Sequence, residues 1–150
     1  SEMWTAAQRF IRQNDKRDRC YIIHLGDHER DAQPILEQFP GTPLYRVCGN
    51  CDYAPSSPAV MTVQLGPIRA FLTHGHLYGV DYGNVDRLVY AAKEADAQLA
   101  LFGHTHVPMN RDYGGLQVVN PGTAGKGRSR TCAKIEIFEN GGIAAEIRKL

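Results

Sequence analysis

The chain has 150 residues, 43% of them hydrophobic, which is enough length and apolar content for one domain with a sizeable core. Its 17 Lys and Arg nearly cancel its 16 Asp and Glu, for a formal net charge of +1, and this balance argues against disorder, a nucleic-acid polymer as partner or a funnel for acidic substrates. No apolar run approaches the roughly 20 residues of a membrane helix, and the first residues carry neither a basic stretch nor an apolar signal core, so no membrane and a cytoplasmic location are expected.

Met3, Trp4, Ala7, Phe10 and Ile11 recur at helical intervals and predict that the sequence opens inside a helix. After a charged turn over 15–19, the apolar run 20–25 has the length of a buried strand and stops at Gly26-Asp27. Residues 34–39 read as a short helix, Pro40-Gly41-Thr42-Pro43 breaks the chain, and a second strand over 44–47 is closed by Gly49. Val60 to Leu65 and Ile68 to Thr73, joined by Gly66-Pro67, read as a hairpin whose apolar residues suit either a core or a dimer face. The second of these strands runs directly into His74-Gly75-His76.

Residues 84–96 place Val85, Leu88, Val89 and Ala92 at helical spacing, with Asn84 as N-cap. A strand over 99–102 stops at Gly103-His104-Thr105-His106, and further strands are predicted over 116–119, 132–138 and 143–147. The pattern predicts a mixed α/β domain with sheets packed under flanking helices. Asp27, Asn50, His74 and His104 each follow an apolar strand, and strand ends are where open α/β sheets form their ligand crevices.

The four cysteines are too sparse for a disulfide scaffold in a chain of this length. Cys48 and Cys51 have a C-x-x-C spacing, but no second pair accompanies it and loop residues follow it. Coincidence is therefore favoured over a zinc or redox site. Lys126, Arg128 and Arg130 could meet a substrate phosphate, although a solvated loop is the plainer reading of so short a charge run.

Two H-x-H pairs, His74/His76 and His104/His106, carry the chemical signal. In extended backbone, residues two apart point to the same side, so each pair could aim two imidazoles, the commonest metal-binding side chains near neutral pH, at one point. Asp27 adds a carboxylate able to bridge two ions, and Asn50 a neutral oxygen. This N/O set without thiolate suits manganese, iron, nickel, cobalt or zinc. Two such cations would polarise a phosphoryl group and deprotonate a bridging water, which predicts in-line hydrolysis of a phosphate ester.

Taken in order, Gly26-Asp27, Gly49-Asn50-Cys51-Asp52, Thr73-His74-Gly75-His76, Gly103-His104-Thr105-His106 and Asn120-Pro121-Gly122-Thr123 resemble the motifs of the calcineurin-like metallophosphoesterases. The likeness is nearest to their small bacterial and archaeal single-domain phosphodiesterases, the branch that includes a retromer subunit of the same fold. It covers nearly the whole chain. The resemblance implies a four-layer α/β/β/α sandwich of two mixed sheets flanked by helices, with residues 1–150 as a single domain. It also implies two divalent metal ions, manganese first and nickel, cobalt, iron or zinc as alternatives.

Carried over by motif, Asp27 resembles the bridging carboxylate, Asn50, His74 and His104 the other ligands of one ion, and His106 a ligand of the second. Asn50 also resembles a catalytic residue, and His76 would line the site as one. Asn120-Pro121-Gly122-Thr123 resembles a loop that closes one wall, although a Pro-Gly turn explains it as well. The family's opening strand ends in Asp-x-His, which supplies two more ligands to the ion shared with His106. No such strand precedes Ser1, and the expectation is a truncated sequence rather than a half-built site.

Cys51 stands where many relatives carry a His that protonates the leaving group, and an ordinary thiol suits that role poorly. Cys51 is therefore expected to contact substrate, with His76 as proton donor. The implied activity is a metal-dependent phosphodiesterase acting on a small phosphodiester through a metal-bridging hydroxide. The competing expectation is a non-catalytic scaffold of the same fold for protein–protein interaction. A homo-oligomer is compatible with either.

Overall fold

The computed structural model describes residues 21–25, 44–47, 58–80, 84–122 and 131–149. The expected helices at the start of the sequence and over 34–39, together with Asp27, Asn50 and Cys51, lie outside the described residues. So do Cys48, Lys126, Arg128 and Arg130.

Nine strands are described. They are β1 (Ile22–His24), β2 (Leu44–Arg46), β3 (Val60–Leu65), β4 (Ile68–Thr73), β5 (Leu99–Leu101), β6 (Met109–Asp112), β7 (Gln117–Asn120), β8 (Thr131–Ile137) and β9 (Ile143–Lys149). One α-helix, α1 (Asp86–Glu94), accompanies them among the described residues. Strands β3, β4, β5, β7 and β6 form one mixed sheet in that order, β1 pairs with β2, and β8 pairs with β9.

The β3–β4 hairpin is the local unit that starts the large sheet. Leu65 faces Ile68 across a two-residue Gly66-Pro67 turn, and Gly66 sits at φ 59. A glycine at positive φ in the first turn position is what a tight hairpin of right-handed twist selects. Residues of β4 alternate between the faces of the sheet: Ala70 and Leu72 join one buried cluster and Phe71 the other. Burial on both faces is why Ala70-Phe71-Leu72 runs apolar without alternation, and it makes β4 a core strand rather than a free apolar surface.

Strands β4, β5 and β7 are mutually parallel, with Leu72 beside Leu101 and Leu101 beside Val119. Their carboxyl ends therefore emerge side by side along one edge. On one face of the sheet α1 lays Leu88 and Ala92 onto Phe71, Ala100, Phe102 and Val118. The N-cap of α1 is Val85 rather than the expected Asn84, whose Oδ1 accepts the Asp86 N–H at 2.8 Å from just ahead of the helix. At the other end the Arg69 guanidinium donates to the Ala95 carbonyl at 2.9 Å, which ties the helix end to β4.

The opposite face buries Ala70, Leu72, Leu99, Leu101 and Val119. Tyr21, Ile23, Leu25 and Tyr45 from the β1–β2 region cover it, together with alternate residues of β8 and β9 such as Ile135, Ile137 and Ile147. The described residues thus give a helix, a five-stranded mixed sheet and a second β layer. Among the described residues no helix is long and apolar enough to cross a membrane.

Candidate metal centre at the strand ends

The turns that follow β4 and β5 carry the four histidines singled out by the sequence, and the parallel pairing of those strands brings the turns together. Gly103 N–H donates to the His74 carbonyl at 2.9 Å, so the two turns are bonded to each other directly. His74 is buried, only 2% exposed, and His76 and His104 are half-buried beside it. The ring centroids of His74 and His104 lie 4.8 Å apart, those of His74 and His76 5.4 Å, and those of His76 and His104 6.3 Å.

The extended i, i+2 geometry expected for each pair is not what the structure shows. Gly75 sits at φ 111 and His76 begins a single 3-10 turn, His76–Tyr78. A Cβ at Gly75 would stand 2.8 Å from Val80 Cγ2, so both the space and the positive φ demand glycine there. His104 and His106 are themselves left-handed, at φ 65 and φ 60. An L residue pays roughly 1–2 kcal/mol for that conformation, and it persists only where the surroundings hold it. The convergence therefore runs between strands, from His74 to His104. The His106 ring is exposed and outside the His74–His76–His104 cluster.

Hydrogen bonding fixes how His74 presents itself. Its Nδ1 lies 2.8 Å from the Leu25 carbonyl, at the end of β1. A carbonyl can only accept, so Nδ1 carries the proton, and in the neutral imidazole Nε2 is then the lone-pair nitrogen. That Nε2 faces His104 Nδ1 at 3.0 Å. Two nitrogens bound to one ion at metal–nitrogen distances near 2.1 Å and angles of 90–109° are separated by roughly 3.0–3.4 Å. The pair has the spacing of a shared cation, and a backbone carbonyl behind the ligand histidine is the support such sites use.

His76 adds a further sign of a polar guest. Its Nδ1 is buried and has no hydrogen-bond partner among the described residues, and buried polar atoms are seldom left in that condition without a functional reason. Among the described residues no group of three or more His, Cys, Asp or Glu is arranged to hold a metal ion by itself. His74 and His104 fit a divalent ion as two nitrogen donors, and the oxygen donors expected from Asp27 and Asn50 belong to segments not described. Asp27 follows Leu25 by two residues, and Asn50 follows the fully buried Val47 by three.

Sequence reasoning missed the part played by Asn120, the last residue of β7 and fully buried. Its Nδ2 donates to the Gly103 carbonyl at 3.1 Å and to Thr105 Oγ1 at 3.0 Å, while its Oδ1 accepts the Gly122 N–H at 2.9 Å. An Asn directly after two buried valines was the available signal, because a buried amide must find partners.

The described residues form an α/β domain whose parallel strand ends bring His74, His76 and His104 together. The chain belongs to the calcineurin-like phosphoesterase superfamily, whose domain model matches residues 3–140. It is 31% identical over 128 residues to the probable metallophosphoesterase YsnB of Bacillus subtilis, covering 85% of this chain and 72% of that one. Among solved structures it is similar to Vps29 of Entamoeba histolytica complexed with Zn2+, at TM-score 0.70 and 19% identity over 95% of this chain and 88% of that one. It is also similar to an archaeal phosphodiesterase, at TM-score 0.63 and 18% identity over 95% and 91% of the two chains. The fold is that of the calcineurin-like phosphoesterases, and the family binds divalent metals.

Proposed function

We propose that the protein is a divalent-metal-dependent phosphodiesterase acting on a small phosphodiester. The observation that carries this reading is the His74 Nε2 to His104 Nδ1 separation of 3.0 Å at the ends of adjacent parallel strands. Support comes from membership of the phosphoesterase superfamily and from the likeness to YsnB and to the archaeal phosphodiesterase. A bound divalent ion supplies Lewis-acid polarisation of the phosphoryl group and makes water a nucleophile near neutral pH.

The chain's own residues do the remainder. His74, held by the Leu25 carbonyl, offers Nε2 to the ion, and His104 offers Nδ1. Asp27 and Asn50 would supply the oxygen donors, Asn50 also as a catalytic residue, and His106 would serve a second ion. His76 stands beside both ligands with a buried, unpaired Nδ1, placed to hold a proton for the leaving oxygen. Cys51 contacts substrate. Manganese is the first choice of ion on the family resemblance, and the mixed donor set of imidazole, carboxylate and amide oxygen suits nickel, cobalt, iron or zinc as well.

The alternative, a non-catalytic scaffold, draws on the likeness to Vps29, which at 19% identity is a likeness of fold. Hydrolysis of bis(p-nitrophenyl) phosphate under excess Mn2+ separates the two. The wild type turns over, whereas Asp27→Asn and His104→Ala lose at least about a hundredfold. A wild type that binds Mn2+ without hydrolysing any of a panel of phosphodiesters would favour the scaffold.

A further inference from the structure

Gly103, His104 and Thr105 form a tight turn with an unusual burden. Thr105 N–H donates back to the Gly103 carbonyl at 2.7 Å, an i to i+2 bond, and the residue inside that loop, His104, has φ 65. A γ-turn of this positive-φ kind is rare and strained. Left to itself, a non-glycine residue there would relax toward negative φ and carry its imidazole away from His74.

The Gly103 carbonyl accepts a second hydrogen bond, from Asn120 Nδ2, and the other Nδ2 hydrogen goes to Thr105 Oγ1. Both hydrogens of one amide therefore close on the two residues that flank His104. The amide is itself held, because its Oδ1 accepts the Gly122 N–H. Asn120 is fully buried at the end of β7, and Phe102 N–H donates to the Val119 carbonyl at 3.1 Å, which keeps β7 in register with the turn. The preceding peptide is secured from the other side, since Gly103 N–H donates to the His74 carbonyl.

We infer that Asn120 is a positioning residue that holds the His104 turn in its strained form and so sets the spacing between His104 Nδ1 and His74 Nε2. The inference rests on reading that nitrogen pair as ligands of one cation. A carboxylate in place of the amide has nearly the same shape but donates nothing, so it would set an acceptor against the Gly103 carbonyl and could keep Thr105 only by turning the hydroxyl round to donate.

The test uses the full chain with three variants: Asn120→Asp, Thr105→Val and Thr105→Ser. In the metal-free protein, imidazole 15N resonances of His104 are recorded, Mn2+ affinity is then measured by calorimetry, and thermal midpoints are followed alongside. Asn120→Asp and Thr105→Val are expected to move the His104 resonances and weaken Mn2+ binding about 10- to 100-fold, the range seen when the support of a metal ligand is removed. Thr105→Ser, which keeps the hydroxyl acceptor, is expected to behave as wild type in both.

Lower thermal midpoints with unmoved His104 resonances and unchanged Mn2+ affinity would overturn the proposal, because a purely structural role gives that result. Should Asn120→Asp fail to fold, the contrast between Thr105→Val and Thr105→Ser decides in the same way. A wild type that binds no Mn2+ would contradict the metal reading, while the metal-free resonances still decide the positioning role.

Discussion

The Leu25 carbonyl and His74 Nδ1 are 2.8 Å apart, and this bond links the end of β1 to the end of β4 across the two β layers. It sets which edge of a buried imidazole is available. Neutral His74 is expected to carry its proton on Nδ1 in the metal-free protein, and long-range 1H–15N correlation of the imidazole reads this directly. A protonated Nε2 would contradict the ligand assignment. His74→Ala strands the Leu25 carbonyl and should cost about 1–3 kcal/mol of stability, the usual penalty for a buried group left unpaired.

His76 is expected to separate binding from turnover. His76→Ala should leave Mn2+ affinity close to wild type, because His74 and His104 supply the nitrogen pair. Its kcat should fall about 10²-fold or more, the contribution of a positioned proton donor. Calorimetry and steady-state kinetics on one preparation measure both, and an equal loss of metal affinity would make His76 a ligand instead.

Gly122 is required by both space and conformation. It has φ 80, and a Cβ there would overlap the hydroxyl of Thr131, which donates to the Pro121 carbonyl at 2.7 Å. Gly122→Ala is expected to destabilise by about 2–3 kcal/mol through strain and overlap together. Gly141, at φ 87 with open space around it, is the control, and Gly141→Ala should cost about 1 kcal/mol. Denaturant midpoints compare the two, and equal losses would show that the contact with Thr131 is not what matters.

Burial pushes the Cys132 thiol up from its ordinary range, and the nearby Arg148 charge only partly offsets this. The folded state therefore favours the protonated thiol. The sign follows from linkage: a folded value above the unfolded one gives stability that is complete below the unfolded value and is lost as pH rises through the folded one. Alkylation at Cys132 should be slow at neutral pH, because the thiolate is the nucleophile. Its rate should rise only above the ordinary thiol range, as mass spectrometry of the peptide would show. Replacing Cys132 with Ser should remove that part of the alkaline loss.

The parts of the fold legible in the sequence were those with strong local signals. The β3–β4 hairpin appeared with its ends because two apolar-rich segments met a Gly-Pro turn, whereas the N-cap of α1 falls at Val85, one residue after the expected Asn84. Strand β6 was missed. Met109–Asp112 is polar and mostly exposed, and pairing with β7, Asn110 against Val119, makes it a strand. That tertiary pairing leaves no local pattern.

In the site, His74 and His104 were legible as residues that end apolar strands, and the parallel register of β4 and β5 brings them together. Within the pairs His74/His76 and His104/His106 the extended backbone expected from the spacing does not hold, because Gly75, His104 and His106 have positive φ. Asn120 was read only as part of a loop, because its role depends on strand β7 lying beside β5.

The account turns on His74 and His104 holding one cation between them. The most direct measurement is pulsed electron paramagnetic resonance of Mn2+ bound to the full chain, with and without 15N-labelled histidine. Nitrogen couplings that change with the label in wild type and diminish in His104→Ala are the predicted result. Tightly bound Mn2+ with no imidazole coupling in the wild type would contradict it.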